Sequence, residues 1–251
     1  RIVQVGYDTD EAGPMGVCLS GAADGAVGMV RDVNRLIRKE LPAGAYFVDL
    51  ERVAGRMGRD GFYDPRRYHW TKQPFSEAGT ALLGQHLAAG VSAVTAGPKK
   101  VLVLDLDNTL WGGVVGETGP MGITLGESPD GDAFRAYQVY AKGLAERGVV
   151  LAVCSKNNAE DAREPFVINP DMALTIDDFA AFEASWDPKP VAIKRIAEAL
   201  NLGLDSFVFF DDNPAEREHV RQALPGVEVV DVPEDPSGYV RALESGLWFE
   251  A

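Results

Sequence analysis

The chain has 251 residues, 46% of them hydrophobic, which suits one large domain with a smaller companion and supplies a sizeable core. Its formal net charge of −14 excludes nonspecific nucleic-acid binding, because the phosphates of DNA or RNA would be repelled. No apolar run reaches the ~20 residues of a membrane-spanning helix, and the two cysteines, Cys18 and Cys154, give no disulfide framework. We therefore expect a cytoplasmic protein that binds neither nucleic acid nor membrane.

The first region, residues 1–97, alternates between predicted strands and helices, which favours an α/β arrangement. Apolar residues at helical spacing indicate the helices, and Ser76 is a suitable N-cap for one of them. In chain order we predict a strand at 1–5, a loop at 6–25, a helix at 27–41, a strand at 46–50, a short helix from 51, a turn at 61–65 and a helix from 77 to 94. The tract Gly97-Pro98-Lys99-Lys100 is the predicted domain boundary.

Residues 98–251 alternate more regularly and predict a parallel sheet with helices on both faces, joined by right-handed crossovers. A Gly-rich segment at 111–126 is too short for a lid domain, so only a minimal cap is expected. We predict strands at 101–104, 149–154, 172–174, 207–210 and 227–232, and helices at 134–147, 160–166, 189–200 and 239–247.

One stretch carries most of the chemistry, the run Val101-Leu102-Val103-Leu104-Asp105-Leu106-Asp107-Asn108-Thr109-Leu110. Its four leading apolar residues predict a strand buried on both faces. Asp105 then lies at the carboxyl end of that strand, where open α/β sheets bind their ligands. Two carboxylates so close together are costly unless a cation or several donors satisfy them, and Mg²⁺ prefers such oxygen ligands. The competing interpretation is a solvated turn that closes an ordinary strand.

Three later segments argue against that simple turn. A second apolar run ends at Ser155, the segment Trp186-Asp187-Pro188-Lys189 puts a lysine at the start of a helix, and a third apolar run ends in Asp211-Asp212. A lysine is unfavourable at a helix N-terminus, so an acidic pocket explains Lys189 better than a solvated surface does. The order Asp-x-Asp-x-Thr, Ser, Lys, Asp-Asp resembles the four motifs of the haloacid dehalogenase (HAD) phosphohydrolase superfamily over residues 98–251.

This resemblance implies a HAD-like Rossmannoid sheet and a role for each motif residue. Asp105 would attack phosphorus, and Asp107 would protonate the leaving oxygen and later activate water. Ser155 and Lys189 would hold the phosphate oxygens and neutralise the developing charge. The carboxylates implied for the Mg²⁺ site are Asp105, Asp107, Asp211 and Asp212, and the sequence leaves open which of the last two ligates directly.

A closer resemblance is to the FkbH-like family. It is carried by the segments 105–113, Cys154-Ser155-Lys156-Asn157-Asn158, Asn169-Pro170-Asp171-Met172, 186–189 and 210–217, and it extends back through Asp49-Leu50-Glu51-Arg52, Asp64-Pro65-Arg66 and 72–76. Members take D-1,3-bisphosphoglycerate, lose both phosphates and load a glyceryl group onto the phosphopantetheine arm of an acyl carrier protein for polyketide pathways. The substrate- and phosphate-binding residues that the resemblance implies are Asn108, Thr109, Trp111, Gly112, Gly113, Ser155, Lys156, Asn157 and Lys189.

Within that family Cys154 would hold the glyceryl group as a thioester. The residues alone also support the opposite interpretation, because free cysteine is among the most buried residue types. Side chains alternate along a strand, so Cys154 should face away from the phosphate if Ser155 faces it. The thiol reaches the site only if the chain turns at the strand end, where Lys156 and nearby Mg²⁺ could lower its pKa. Cys18 has no such company and is predicted to be structural.

The region 1–97 resembles the tail of an SGNH-hydrolase-like domain but lacks that family's catalytic pattern. We predict a non-catalytic module that supports the enzyme or docks the carrier, with His69 and His86 as surface or core residues.

Three other functions compete with the glyceryl transferase. A plain Mg²⁺-dependent phosphatase needs Asp105 and Asp107 but has no use for Cys154. A signalling receiver domain also places acids, a hydroxyl and a lysine around an acyl phosphate, but its acid pair precedes the phosphorylated Asp, and here the order is reversed. A non-catalytic carrier-docking module would not need every charged catalytic position.

Overall fold

The computed structural model describes residues 1–9, 22 and 25–250 and divides the chain into two compact units. The first is formed by Arg1–Pro98 with the terminal residues from Glu250, and the second by Lys99–Phe249. Cys18 and most of the loop predicted at 6–25 lie outside the described residues. None of the helices in the described part of the chain is long and apolar enough to cross a bilayer.

The first unit pairs two short strands in parallel, with Val3 opposite Tyr46. Its described elements are β1 (Val3–Val5), α1 (Ala26–Glu40), β2 (Tyr46–Val48), α2 (Leu50–Met57), α3 (Arg59–Phe62), α4 (Pro65–Thr71) and α5 (Glu77–Thr95). The predicted N-cap at Ser76 is confirmed, since its Oγ accepts a hydrogen bond of 2.9 Å from the Gly79 N–H. A small core holds the unit together, made of Val48, Val53, Ala54 and Phe62.

Two predictions for this unit are wrong. The strand at 46–50 ends at Val48, because the Asp49 side chain caps α2 by accepting from the Arg52 N–H. The turn at 61–65 leads into a helix, α4, which starts at Pro65 behind an Asp64 cap. Asp followed by Pro is a helix-start signal, but none of the α4 residues is buried, so no apolar face announced the helix.

The second unit is built on a five-stranded, all-parallel sheet with the order β5-β4-β3-β6-β7. Its strands are β3 (Val101–Leu104), β4 (Val150–Ser155), β5 (Phe179–Ala184), β6 (Phe207–Phe210) and β7 (Glu228–Val229). Its helices are α6 (Val115–Thr118), α7 (Pro129–Glu146), α8 (Ala159–Ile168), α9 (Lys189–Leu200), α10 (Pro214–Ala223) and α11 (Tyr239–Ser245). The predicted parallel α/β fold with helices on both faces is confirmed.

Each face of this sheet has its own core, which explains the unbroken apolar runs. Leu102 and Leu104 of β3 pack in one cluster with Tyr137 of α7. Val101 and Val103 belong to a second cluster, which contains Ile193 of α9. Strands covered on both sides must be apolar at every position, and all four β3 residues have no exposed surface.

The predicted strand at 172–174 is wrong, and β5 was missed. The N–H groups of Ala173 and Leu174 donate to the Oε1 atom of buried Gln138 rather than to a strand, at 2.9 and 3.2 Å. The edge strand is instead β5, whose residues after Phe179 are exposed or only partly buried. The strand predicted at 227–232 is limited to the two residues of β7.

Candidate active site

The site forms at the carboxyl edge of the sheet, where β3, β4 and β6 end side by side. Leu104 is paired with Val153 on one side and with Phe210 on the other. The chain continues in register for one more residue, since the Asp105 N–H donates to the Phe210 carbonyl at 3.0 Å. Parallel pairing therefore brings the motif residues that follow these strands to one edge.

Three carboxylates meet there around one lysine. Single oxygen atoms of Asp105, Asp211 and Asp212 lie within 4.8 Å of one another. Lys189, only 3% exposed, places its Nζ atom 2.8 Å from Asp105 Oδ1 and also donates to Asp211 Oδ2. Helix α9 begins at Lys189, so the lysine enters the acidic pocket from the first helical position, as its unfavourable place in the sequence indicated.

The charges of this cluster do not balance. Burial raises the pKa of Asp212 to about 6, and the Asp105 charge adds to the effect. Burial and Asp105 also raise the pKa of Asp211, against the opposing effect of Lys189. For Lys189, burial opposes the charged form, but Asp105 and Asp211 outweigh it and the pKa is raised. One ammonium group thus neutralises only part of the negative charge of three acids.

A divalent cation fits the remaining charge. The buried Asp105 Oδ1 atom is in ion-pair contact with Lys189. It accepts no hydrogen bond from any other described residue. Carboxylate oxygens at this spacing suit a hard cation such as Mg²⁺, which keeps several waters and binds through a few carboxylates. Asp105, Asp211 and Asp212 are the residues that would hold it.

Asp107 lies outside this carboxylate cluster, contrary to its predicted place among the metal ligands. Its Oδ1 atom accepts from Trp111 Nε1 at 2.9 Å and from the Val115 N–H at 3.0 Å. Its Oδ2 atom accepts from Asn157 Nδ2 at 2.9 Å. A carboxylate held by three donors on both oxygens is fixed in direction, which suits a group that must deliver a proton to a defined atom.

The residues after Asp107 form a turn that is held by hydrogen bonds within the site. Trp111 is fully buried and directs its one polar atom to Asp107. Thr109 is buried and accepts from the Asp212 N–H at 3.3 Å. Asn108 adopts a left-handed conformation, and its side chain accepts from the Gly113 N–H at 2.8 Å. The substrate contacts implied for these side chains stay a prediction.

Gly112 is also explained by packing. A Cβ atom there would lie 2.9 Å from atoms of Phe134 and Thr124, and the Gly112 backbone exchanges two hydrogen bonds with Thr124. Only a residue without a side chain allows this approach.

The β4 end supplies Ser155, Lys156 and Asn157. Ser155 is buried and its Oγ atom accepts from Asn157 Nδ2 at 3.2 Å. Lys156 instead makes an ion pair of 2.5 Å with Glu216. Ser155 and Asn157 therefore join the site directly, whereas the charge of Lys156 is already matched by a neighbouring acid.

Cys154 is buried on the sheet face that α9 covers, close enough to the site for Lys189, Asp105 and Asp211 to affect its pKa. It packs in the core cluster under α9, with 1% of its surface exposed, and its thiol donates weakly to the Lys189 carbonyl at 3.9 Å. Burial raises the pKa of the thiol to about 12, despite the opposing effect of Lys189. The strand stays extended through Ser155 and the chain bends only at Lys156 and Asn157, so Cys154 keeps its place in the core.

Sequence reasoning missed the role of Arg217. Its Nη1 atom donates to the backbone carbonyls of Asp211 and Asp212, at 2.8 and 2.7 Å. The signal was its place in the first turns of α10, directly after the acid pair.

Comparison with known structures decides the family. The chain is similar to the crystal structure of the N-terminal part of protein BF1531 from Bacteroides fragilis, which contains a phosphatase domain complexed with Mg. The two share 36% sequence identity and a TM-score of 0.91, over 100% of this chain and 68% of that one. The chain belongs to the same family as this phosphatase-domain protein. The motifs that resemble those of the HAD superfamily are the ones assembled at the sheet edge.

Two more distant HAD structures also match. One is a HAD family enzyme from Bacteroides thetaiotaomicron, with 13% identity, a TM-score of 0.37 and coverage of 53% of this chain and 92% of that one. The other is a haloacid dehalogenase-like hydrolase from Xanthomonas campestris, with 13% identity, a TM-score of 0.37 and coverage of 60% and 96%. No protein-family model and no curated protein matches the sequence.

Proposed function

We propose that this chain is a Mg²⁺-dependent phosphohydrolase of the HAD superfamily whose substrate is a phosphorylated glyceryl group derived from D-1,3-bisphosphoglycerate. The observation that carries the phosphohydrolase is the buried cluster of Asp105, Asp211 and Asp212 around Lys189, next to an oriented Asp107. This set combines a nucleophile, a positive charge and an acid, which is what phosphoryl transfer through an aspartyl phosphate needs.

In the first step Asp105 forms a bond to phosphorus while the bond between phosphorus and the leaving oxygen breaks. Asp107, in its acid form, gives its proton to that oxygen, so a neutral alcohol leaves. In the second step the Asp107 carboxylate takes a proton from water as the water attacks phosphorus and frees Asp105. Lys189 and the Ser155 hydroxyl hold phosphate oxygens during both steps. Mg²⁺ bound to the acid cluster would neutralise charge on the transferring group.

The finer proposal is that the glyceryl group is loaded onto the phosphopantetheine arm of an acyl carrier protein. Its support is the run of FkbH-like motifs, from 105–113 to 210–217. The short segment at 111–126 is a second support, because it folds into one helical turn, α6, with turns and isolated β-bridges around it, rather than into a lid domain. An arm that carries a substrate in from a partner protein needs such a small cap.

Two routes to the carrier thioester remain. A Cys154-bound intermediate requires the thiol to leave its core position and lose its proton, against a pKa of about 12. In the direct route the carrier thiol loses its proton and attacks the acyl carbon, and the carbon–oxygen bond to phosphate breaks. The burial of Cys154 favours the direct route. It also favours, as a second candidate function, a plain Mg²⁺ phosphatase that leaves the carrier unloaded.

Intact mass spectrometry of the carrier, combined with phosphate release, tests these proposals. The purified chain is incubated with D-1,3-bisphosphoglycerate, Mg²⁺ and a phosphopantetheinylated carrier. We expect the carrier to gain one glyceryl group and Asp105→Asn to stop dephosphorylation. Phosphate release with an unchanged carrier would identify the plain phosphatase, and no Mg²⁺-dependent phosphate release from any phosphoester would overturn the phosphohydrolase.

A further inference from the structure

Asn157 connects two groups of the site that come from different strands. Its Nδ2 atom donates to the Oδ2 atom of Asp107, which follows β3, at 2.9 Å. It also donates to the Oγ atom of Ser155, the last residue of β4, at 3.2 Å. The residue is 5% exposed. A primary amide nitrogen carries two hydrogens, so both are used by these contacts and none is left for a phosphate oxygen.

These two contacts fix more than the position of the amide. The Ser155 oxygen acts as an acceptor toward Asn157, so its single hydroxyl hydrogen is free to point elsewhere. On the other side, Asp107 has Oδ1 held by Trp111 and the Val115 N–H, and Oδ2 held by Asn157. Asn157 therefore completes the orientation of the carboxyl plane and leaves Ser155 as a donor.

We propose that Asn157 is a positioning residue that aims Asp107 at the leaving oxygen and the Ser155 hydroxyl at the phosphoryl group, rather than a phosphate ligand. This inference rests on the phosphohydrolase function proposed above. During cleavage, the Asp107 proton passes to the leaving oxygen as the phosphorus–oxygen bond breaks, and Asn157 itself exchanges no proton. Asn157 should therefore contribute most to the cleavage of substrates whose leaving oxygen needs a proton from Asp107.

The leaving group provides a test that packing alone would not affect. An alkyl phosphate such as glycerol 3-phosphate must release an alkoxide, which needs a proton from Asp107. An aryl phosphate such as p-nitrophenyl phosphate releases a stable phenolate and needs that proton much less. For Asn157→Ala we expect kcat/KM to fall ~100-fold on the alkyl ester and less than ~10-fold on the aryl ester, within the range of general acid catalysis.

A second variant separates donation from shape. Asn157→Asp keeps the size of the side chain but replaces the amide donor with a second carboxylate beside Asp107. We expect the alkyl-ester activity of Asn157→Asp to be no higher than that of Asn157→Ala. The matched control is Asn158→Asp, which adds the same charge at the next residue, where the exposed side chain contacts Asp161 and Trp186 instead. The control should stay within ~3-fold of the parent on both esters, as expected for a solvated surface charge.

The outcomes are distinct. Equal loss on both esters would mean that Asn157 binds phosphate, and full activity of Asn157→Asp would mean that it only fills space; either result overturns the proposal. A parent protein that releases phosphate with Mg²⁺ neither from these esters nor from D-1,3-bisphosphoglycerate would refute the proposed function itself. Thermal unfolding of each variant, followed in parallel, identifies any loss that comes from misfolding.

Discussion

Lys189 Nζ lies 2.8 Å from Asp105 Oδ1 and also donates to Asp211, so one buried ammonium group joins the proposed nucleophile to the proposed metal-binding acids. The lysine reaches them from the first position of α9 and the acids from the ends of β3 and β6. Cation and carboxylates therefore depend on one another, since each would be a costly unpaired charge in this environment without its partner.

Replacing Lys189 with Met should destabilise the fold and abolish phosphate release. Removal of one partner of a buried ion pair costs about 3–5 kcal/mol, because the remaining charges are uncompensated. Here Asp105 and Asp211 would remain, both almost fully buried. Chemical unfolding monitored by circular dichroism measures the loss. Lys194→Met is the control, because Lys194 lies on the exposed side of the same helix, and it should change stability by less than about 1 kcal/mol.

Without Mg²⁺, stability should fall as the pH rises from about 4 to about 7. The folded pKa of Asp212 is about 6 and that of Asp211 is also raised, whereas an unfolded Asp titrates near ~3.9. Between these values the folded state holds more protons than the unfolded state, so raising the pH favours unfolding. Adding Mg²⁺ should raise the melting temperature more at pH 8 than at pH 5, because the ion binds the ionised acids.

A melting temperature that Mg²⁺ raises equally at both pH values would contradict this account of the acid cluster. The double variant Asp211→Asn/Asp212→Asn is the control, and it should lose both the pH trend and the effect of Mg²⁺.

Cys154 should resist alkylation in the folded protein at pH 8. Its thiol is 1% exposed and its pKa is raised to about 12 by burial, so almost no reactive thiolate is present. Iodoacetamide treatment before and after unfolding, followed by peptide mapping of the segment that contains Cys154, measures the protection. Rapid labelling in the folded state would show that the thiol reaches solvent. That result would favour the route through a cysteine-bound glyceryl intermediate.

The sheet was predictable because its strands are apolar without interruption, a pattern that only burial on both faces explains. The same pattern located Asp105, Ser155 and Asp211 at strand ends. Parallel pairing of these strands then brings the three residues to one edge of the sheet. Strand β5 was not predictable, because an edge strand with few buried residues carries little apolar signal. Helix α4 was missed for a related reason, since all of its residues are exposed.

The roles of individual site residues were less predictable than their presence. A motif fixes which residues come together but not which atom each side chain contacts. Trp111, Thr109 and Asn157 belong to the implied substrate-binding set, yet each hydrogen bonds to another residue of the site. Such contacts depend on the conformation of the turn after Asp107, with the left-handed Asn108 at its centre, and a periodicity argument does not reach that level of detail.

Arg217 holds the backbone of the acid pair Asp211 and Asp212, and its replacement should weaken Mg²⁺ binding. Its Nη1 atom holds the carbonyls of both Asp211 and Asp212, so Arg217→Met would release the turn that directs their carboxylates. Residues that orient metal ligands typically contribute ~10–100-fold to affinity. We expect a loss of about tenfold in Mg²⁺ affinity by isothermal titration calorimetry.

The control is Arg221→Met, which removes the same charge from the same helix. Arg221 pairs with Asp231 instead, so its replacement should leave the affinity within about twofold, as is usual away from the ligands. Equal effects of the two variants would show that Arg217 acts only through its long-range charge.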